Sequence, residues 1–314
     1  MPTFQQSRVA LGSDILLTLV CDQPAPIFAA LWKQIDTFEQ RFSRFLGTSE
    51  LSLFNAAAGA RQPISPQMQA ILSASLAAST STRGIYNPFV LPALQRAGYT
   101  KSWTNPHLSS GTNTTGRIAQ PDELELSETS ARIPQNTAID LGGIGKGYLL
   151  DELVQTLPAE LEGFWLSLGG DIIVGGHTEA GTAWEIGIAT AAGTGDAATV
   201  AIPKDSIRAI ATSGITKRRG VTPSGTAWHH LIDPRTGTPA NTTVLTATAV
   251  GTSGLWTDIY ASCVVIEDSP SSNTKHIPSH LAHNGITDLI IQRLSESPQI
   301  IGQHTRPHTP QETS

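Results

Sequence analysis

The chain has 314 residues, 39% of them hydrophobic and 15% charged, with a formal net charge of −6. That length carries a large core, in two domains or one elaborate one, and the acidic balance excludes the basic surface that non-specific nucleic-acid binding requires. The two cysteines, Cys21 and Cys263, each sit in an apolar run and offer neither a disulfide framework nor a zinc spacing.

No run reaches the ~20 apolar residues that span a membrane, so no integral membrane segment is expected. The opening MPTFQQSRVALGSDILLTLV has no basic region followed by a continuous apolar stretch, and no lipid-attachment cysteine. The expectation is a cytoplasmic protein without a signal peptide, or an extracytoplasmic one should the native chain begin earlier.

In chain order, Val9 to Val20 is rich in Val, Ile, Leu and Thr with a Gly-Ser-Asp break, which reads as a strand or hairpin arm. Phe28, Leu31, Trp32, Ile35, Phe38 and Phe42 fall at helical spacing and predict an amphipathic helix from Pro26 to about Phe42. Ser65-Pro66 is a capped helix start, and Met68, Ile71, Leu72 and Leu76 give that helix its apolar face. Residues 104–122 are polar and turn-rich and read as a surface loop. Leu149, Leu153, Val154 and Leu157 predict a helix starting near Gly145. The runs FWLSL, AWEIGIA, TVAIP, IRAIAT and LTATAV, divided by turn residues, predict an antiparallel sheet. A further helix is expected from Gly254 to Ile266, and a disordered tail over residues 304–314. Strands and helices mix without regular alternation, so the fold class is α+β, one domain over residues 1–303 or two intertwined subdomains, not a doubly wound parallel sheet.

Five segments have the residue types of chemistry. In IDLGGIGKGY, Gly142, Gly143 and Gly145 precede Lys146 and a helix; glycines let a phosphate approach backbone amides, and a helix start and a lysine supply positive charge. The pattern is neither GxxxxGK[ST] nor a clear GxGxxG, and such turns are as readily structural. SLGGD reads first as a tight hairpin. ATSG, residues 211–214, precedes Lys217, Arg218 and Arg219, which suits phosphate contacts or a solvated charge run. HHLIDPRTGTP offers His229 and His230 as groups that change protonation near neutral pH, beside the turn Asp233-Pro234-Arg235-Thr236-Gly237. In TSGLWTDIYASC, Asp258 and Ser262 share one helical face and can both reach a hard cation.

Together and in this order, these motifs resemble the FAD:protein FMN transferases, the ApbE family. Phe42-Ser43-Arg44-Phe45, Ser49-Glu50-Leu51-Ser52 with Asn55, and Gly84-Ile85-Tyr86-Asn87-Pro88-Phe89 are similar to further family segments, and the resemblance covers roughly residues 9–267. It implies a T-fold-related architecture and an enzyme that cleaves FAD, attaches FMN by a phosphoester to a Thr or Ser of a target flavoprotein, and releases AMP. It implies that Asp140 and Lys146 contact FAD, that Leu11, Phe45, Ile85, Tyr86, Asn87 and Ile232 line the flavin or adenine pocket, that Thr212 and Ser213 also bind the cofactor, and that His230 is the base. It implies Mg2+ held by the Gly143 carbonyl, Asp258 and Ser262. Ser262 stands where Thr is common, Ala261 where some members carry a second carboxylate, and Asn87 where many carry an acid. The competing readings are a FAD pyrophosphatase and a non-catalytic FAD-binding protein.

Overall fold

The structure, a computed structural model, describes residues 1–110, 115–222, 225–267 and 279–307. An eight-stranded antiparallel sheet forms its centre. The strands run in the order Thr3–Ala10, Ser13–Val20, Gly163–Leu168, Asp171–Gly176, Arg208–Gly214, Val244–Gly251, Ile286–Arg293 and Gln299–Ile301. The expected arm at 9–20 is thus a full hairpin that turns at Leu11–Gly12.

Side chains alternate across this sheet, so its two faces serve different layers. Ile173 and Ala209 face the helices α1 (Pro24–Phe42) and α5 (Gly145–Gln155), whereas their neighbours Val174 and Ile210 face a second, three-stranded sheet. That sheet pairs Trp184–Ala189, Asp196–Ile202 and Thr305–Pro307. Two runs expected in one antiparallel sheet, AWEIGIA and TVAIP, therefore build a separate layer. The expected tail also starts too early: Thr305–Pro307 is a paired strand, and residues 308–314 lie outside the described residues.

Helix α1 starts two residues earlier than expected, at Pro24, and buries Phe28, Leu31 and Ile35 completely or nearly so. Each such side chain contributes about 1.5–3 kcal/mol of burial. A helical lobe holds α2 (Glu50–Ala56), α3 (Pro66–Ser81) and α4 (Leu91–Ala97). Ser65 caps α3 as expected, its hydroxyl accepting from the Met68 N–H at 3.1 Å. Most of residues 104–122 is exposed irregular chain, with Ala119 buried and 111–114 outside the described residues.

Helix α6 (Gly254–Ile266) sits between lobe and sheet, and its sequence divides by face. Ile259 and Cys263, four apart, join the lobe core; Ala261 and Val265 face the sheet side; Asp258 and Ser262 line a cavity. A short helix, α7 (Ser279–His283), follows. Among the described residues no helix is long and apolar enough to cross a membrane.

Two glycines set the approach of α5 to α6. A Cβ on Gly147 would lie 2.2 Å from the Gly254 carbonyl oxygen, and one on Gly254 would lie 2.6 Å from that of Gly147. Asp151 then reaches across and caps α6, accepting from the Ser253 hydroxyl at 2.7 Å and from the Gly254 and Leu255 N–H groups at 2.6 and 3.0 Å. A carboxylate at a helix N-terminus is stabilised both by these bonds and by the helix dipole.

Candidate functional site

A cavity of about 1350 Å³ opens where the helical lobe, the ends of the central strands and α6 meet. The ligand, metal and base candidates implied by the resemblance all line it: Leu11, Phe45, Ile85, Tyr86, Asn87, Asp140, Gly143, Lys146, Thr212, Ser213, His230, Ile232, Asp258 and Ser262. Segments separated by more than two hundred residues thus share one wall.

The loop before α5 and the first turn of α5 each supply a charged group, and each group is fixed by a partner that sequence reasoning left out. Asp140 forms an ion pair with Arg44 at 2.9 Å, both side chains only 7% exposed, and its other oxygen accepts from the Gly142 N–H. Arg44 also donates to the Tyr99 carbonyl at 3.2 Å and to Ser110 Oγ at 3.1 Å, so it ties α1's end to the segment after α4. Lys146 pairs with Asp171 of the SLGGD hairpin. Burial pushes the Lys146 ammonium below its ordinary value; Asp258 opposes that shift and Arg218 adds to it. The signals were visible: Arg44 stands in the FSRF segment and Asp171 closes SLGGD, but neither motif announces its partner.

Asp258 is 4% exposed, and its Oδ2 accepts from the Gly147 N–H at 3.2 Å. That bond exists because the glycine contact lets α5 and α6 touch. One turn on, the Ser262 hydroxyl bonds Ser213 of the ATSG segment at 2.8 Å, while Thr212 bonds Thr248 at 2.8 Å. A buried carboxylate, a hydroxyl and a backbone carbonyl are all hard oxygen donors, so the residues fit a Mg2+ ion completed by substrate oxygens. Among the described residues no cluster of three or more His, Cys, Asp or Glu that could hold a metal occurs.

The wall opposite is aromatic. The Arg44 guanidinium lies 4.3 Å from the Phe45 ring centroid and 4.6 Å from that of Tyr99, and Tyr99 meets the His230 ring edge-on at 6.4 Å. Arg44 lies over both rings and Trp228 stacks on Tyr99 at 6.0 Å, so this aromatic lining is braced from within the protein. Leu11 sits at the hairpin turn, where its N–H donates to Glu39 Oε1 at 2.9 Å. Burial raises the Glu39 carboxyl above the ordinary range, and the Leu11 bond opposes this. Tyr86 bonds Ser75 at 3.3 Å, and burial drives its phenol up. Asn87 has structural duties: its amide donates to the Ala119 carbonyl at 3.0 Å and accepts from the Phe89 N–H at 2.9 Å. Ile232 is buried beside Ala93 and Leu94.

His230 departs from expectation. Burial, then Arg218, His229 and Lys146, push its imidazole down to about 3, so it stays neutral at neutral pH instead of titrating there. Its neighbour His229 faces elsewhere, bonded through Nε2 to the Ala240 carbonyl at 3.0 Å. Asp233 serves the turn, paired with Arg235 at 2.9 Å.

The chain is similar to known proteins along most of its length. The ApbE family model matches residues 11–275. A protein of Klebsiella pneumoniae (strain 342) named FAD:protein FMN transferase is 27% identical over 270 residues, covering 82% of this chain and 81% of that one. A protein of the same name from Treponema pallidum (strain Nichols) is 26% identical, covering 77% and 72%. Among solved structures, the ApbE protein of Thermotoga maritima superimposes with a TM-score of 0.81 at 20% identity, over 96% of this chain and 97% of that one. The flavin transferase ApbE of Vibrio cholerae does so with a TM-score of 0.75 at 20% identity, over 95% and 96%. The family model and the shared fold both extend over most of its length, and the chain belongs to the ApbE family.

Proposed function

We propose that this protein is a Mg2+-dependent FAD:protein FMN transferase. It cleaves FAD between its phosphates, joins the FMN half to a Ser or Thr hydroxyl of an acceptor flavoprotein, and releases AMP. The observation that carries this reading is the junction of two half-sites: the Asp140–Lys146 loop and the Asp258–Ser262 face meet in one cavity through the Gly147–Gly254 contact. The names of the relatives support the same substrate pair.

In the reaction the acceptor oxygen bonds to the FMN phosphorus, the bridging P–O bond breaks, and its electron pair leaves on AMP. Such displacements need positioning and charge stabilisation more than a strong nucleophile. Lys146 offers positive charge to the diphosphate, and Phe45 and Tyr99 give the cavity an aromatic lining. Mg2+ bound by the Gly143 carbonyl, Asp258 and Ser262 would neutralise phosphate oxygens and polarise the reacting phosphorus. His230, neutral in the cavity, takes the acceptor proton; an adjacent diphosphate raises its basicity from the low value of the ligand-free pocket.

Chromatography of FAD, FMN and AMP after incubation with Mg2+, with and without a Ser/Thr acceptor, tests the reading. AMP release that depends on the acceptor supports transfer. Free FMN without acceptor indicates a pyrophosphatase, and unchanged FAD a binding protein; either removes the proposal.

A further inference from the structure

Arg218 stands at a corner of the cavity that the reading above leaves unused. Its backbone is left-handed, with φ +41°, at a residue that is not glycine. Such a conformation is disfavoured and persists where the surroundings hold it. Two contacts do so. The Arg218 side chain donates to Ser13 Oγ at 2.9 Å, across 205 residues of sequence, and the strand Arg219–Val221 pairs Arg219 with His229.

Three segments converge on this corner. Gly169, at φ +68° in the SLGGD hairpin, has no room for a side chain: a Cβ there would lie 2.6 Å from Ser13 Oγ and 3.9 Å from Lys146 Cδ. The hairpin therefore brings Ser13, Lys146 and Arg218 to one place, and all of them line the cavity with Gly169. The charges there do not cancel. Arg44 is paired with Asp140 and Lys146 with Asp171, but among the described residues no carboxylate pairs with Arg218, whose described side-chain partner is a neutral hydroxyl. A half-buried guanidinium held in a fixed geometry, with planar donors uncommitted to any acid, is built for an oxyanion.

We propose that Arg218 is a catalytic residue of the transfer, its guanidinium donating to the phosphate that departs with AMP. The assignment rests on the FMN-transfer reading. As the bridging P–O bond breaks, its electron pair settles on the leaving phosphate. A donor already in place there stabilises that charge without reorganisation. The basic run after ATSG then has a defined purpose: Lys217 and Arg218 both line the cavity, but Lys217 is exposed whereas Arg218 is half-buried and held by Ser13, and Arg219 lies outside the lining.

Steady-state kinetics with FAD, Mg2+ and an acceptor protein test this in wild type, Arg218→Ala and Arg218→Lys. Loss of one fixed donor to developing charge lowers kcat by about 100-fold. We expect that loss for Arg218→Ala, with a much smaller change in FAD KM, partial recovery in Arg218→Lys, and rescue of the alanine variant by millimolar guanidinium. His230 provides a second readout, because Arg218, His229 and Lys146 are the charged groups that depress it: its ionisation should move upward in Arg218→Ala, followed by NMR of the imidazole. Unchanged kcat in Arg218→Ala overturns the proposal. So does an equal loss in both variants without guanidinium rescue, which marks a structural role, and so does a rise confined to the acceptor KM. Should the alanine variant lose its fold, Ser13→Ala, which frees the guanidinium from its hydroxyl partner, must still lower kcat or the proposal falls. If wild type itself transfers no FMN, the underlying reading has failed; if wild type transfers and Arg218→Ala keeps pace, this inference alone has failed.

Discussion

A methyl group at position 147 would enter the closest approach between α5 and α6. In an ordinary helix Gly→Ala gains up to about 1 kcal/mol from backbone entropy. Here the new Cβ would lie 2.2 Å from the Gly254 carbonyl oxygen and 2.8 Å from Asp258 Cβ. Carbon atoms rest at about 3.5–4.0 Å, so the helices must part by roughly 1 Å. Overpacking of this kind costs about 1–3 kcal/mol and outweighs the propensity gain. The net loss of up to roughly 2 kcal/mol corresponds to a Tm lowered by up to about 8 °C in a chain of this size. The functional effect is larger than the loss of stability, because the same shift stretches the bond from the Gly147 N–H to Asp258, 3.2 Å in the native packing. Displacing a group at the reacting centre by about 1 Å costs on the order of 100-fold in rate. Thermal unfolding and FMN-transfer kinetics on Gly147→Ala measure both effects. A variant as stable and as active as wild type would refute the claim that this glycine contact joins the two half-sites.

Further outcomes follow from the same contacts. Arg44→Ala leaves Asp140 buried without its partner, which costs about 3–5 kcal/mol; a Tm within 2 °C of wild type, on a scale of about 2–4 °C per kcal/mol, would contradict it, and Arg44→Lys should rescue little because lysine lacks the fork that holds Asp140, Tyr99 and Ser110 together. Asp151→Ala removes three bonds at the start of α6 and should destabilise by about 1–3 kcal/mol, checked by chemical denaturation. His230, pushed down to about 3 from an ordinary 6.5, has a sign that can be worked out. The unfolded chain binds this proton more readily, so its contribution is intact above pH ~6.5 and is lost as pH falls toward ~3. His230→Gln should therefore flatten the acid side of the stability curve in that window. In the free enzyme, the pH profile of kcat/KM for FAD should show no ionisation near 6.5 due to His230; a limb there that vanishes in His230→Gln would contradict the buried, neutral imidazole.

What the sequence revealed depended on range. Helices α1 and α6 were legible because their faces repeat within a few residues, and Asp258 and Ser262 fell on one face by spacing alone. The hairpin at 9–20 was legible from its Gly-Ser-Asp break. The site residues came from ordered motifs, and all of them line one cavity. Lost were relations set only by packing: Arg44 with Asp140, Lys146 with Asp171, Arg218 with Ser13. The neutrality of His230 was illegible for the same reason, since burial belongs to the fold and not to the motif. AWEIGIA and TVAIP read correctly as strands, but nothing local to them says which sheet they join. The strand Ile286–Arg293 went unread, its apolar run being too short to tell from a buried helix.

The central claim is that the Asp140–Lys146 loop and the Asp258–Ser262 face make one FMN-transfer site. Intact-mass spectrometry of an acceptor flavoprotein, incubated with FAD, Mg2+ and either wild type or Asp258→Asn, tests it most directly. One FMN is expected on a Ser or Thr of the acceptor with wild type, and none with the folded Asp258→Asn variant. An acceptor unmodified by wild type, or modified equally by both, would contradict it.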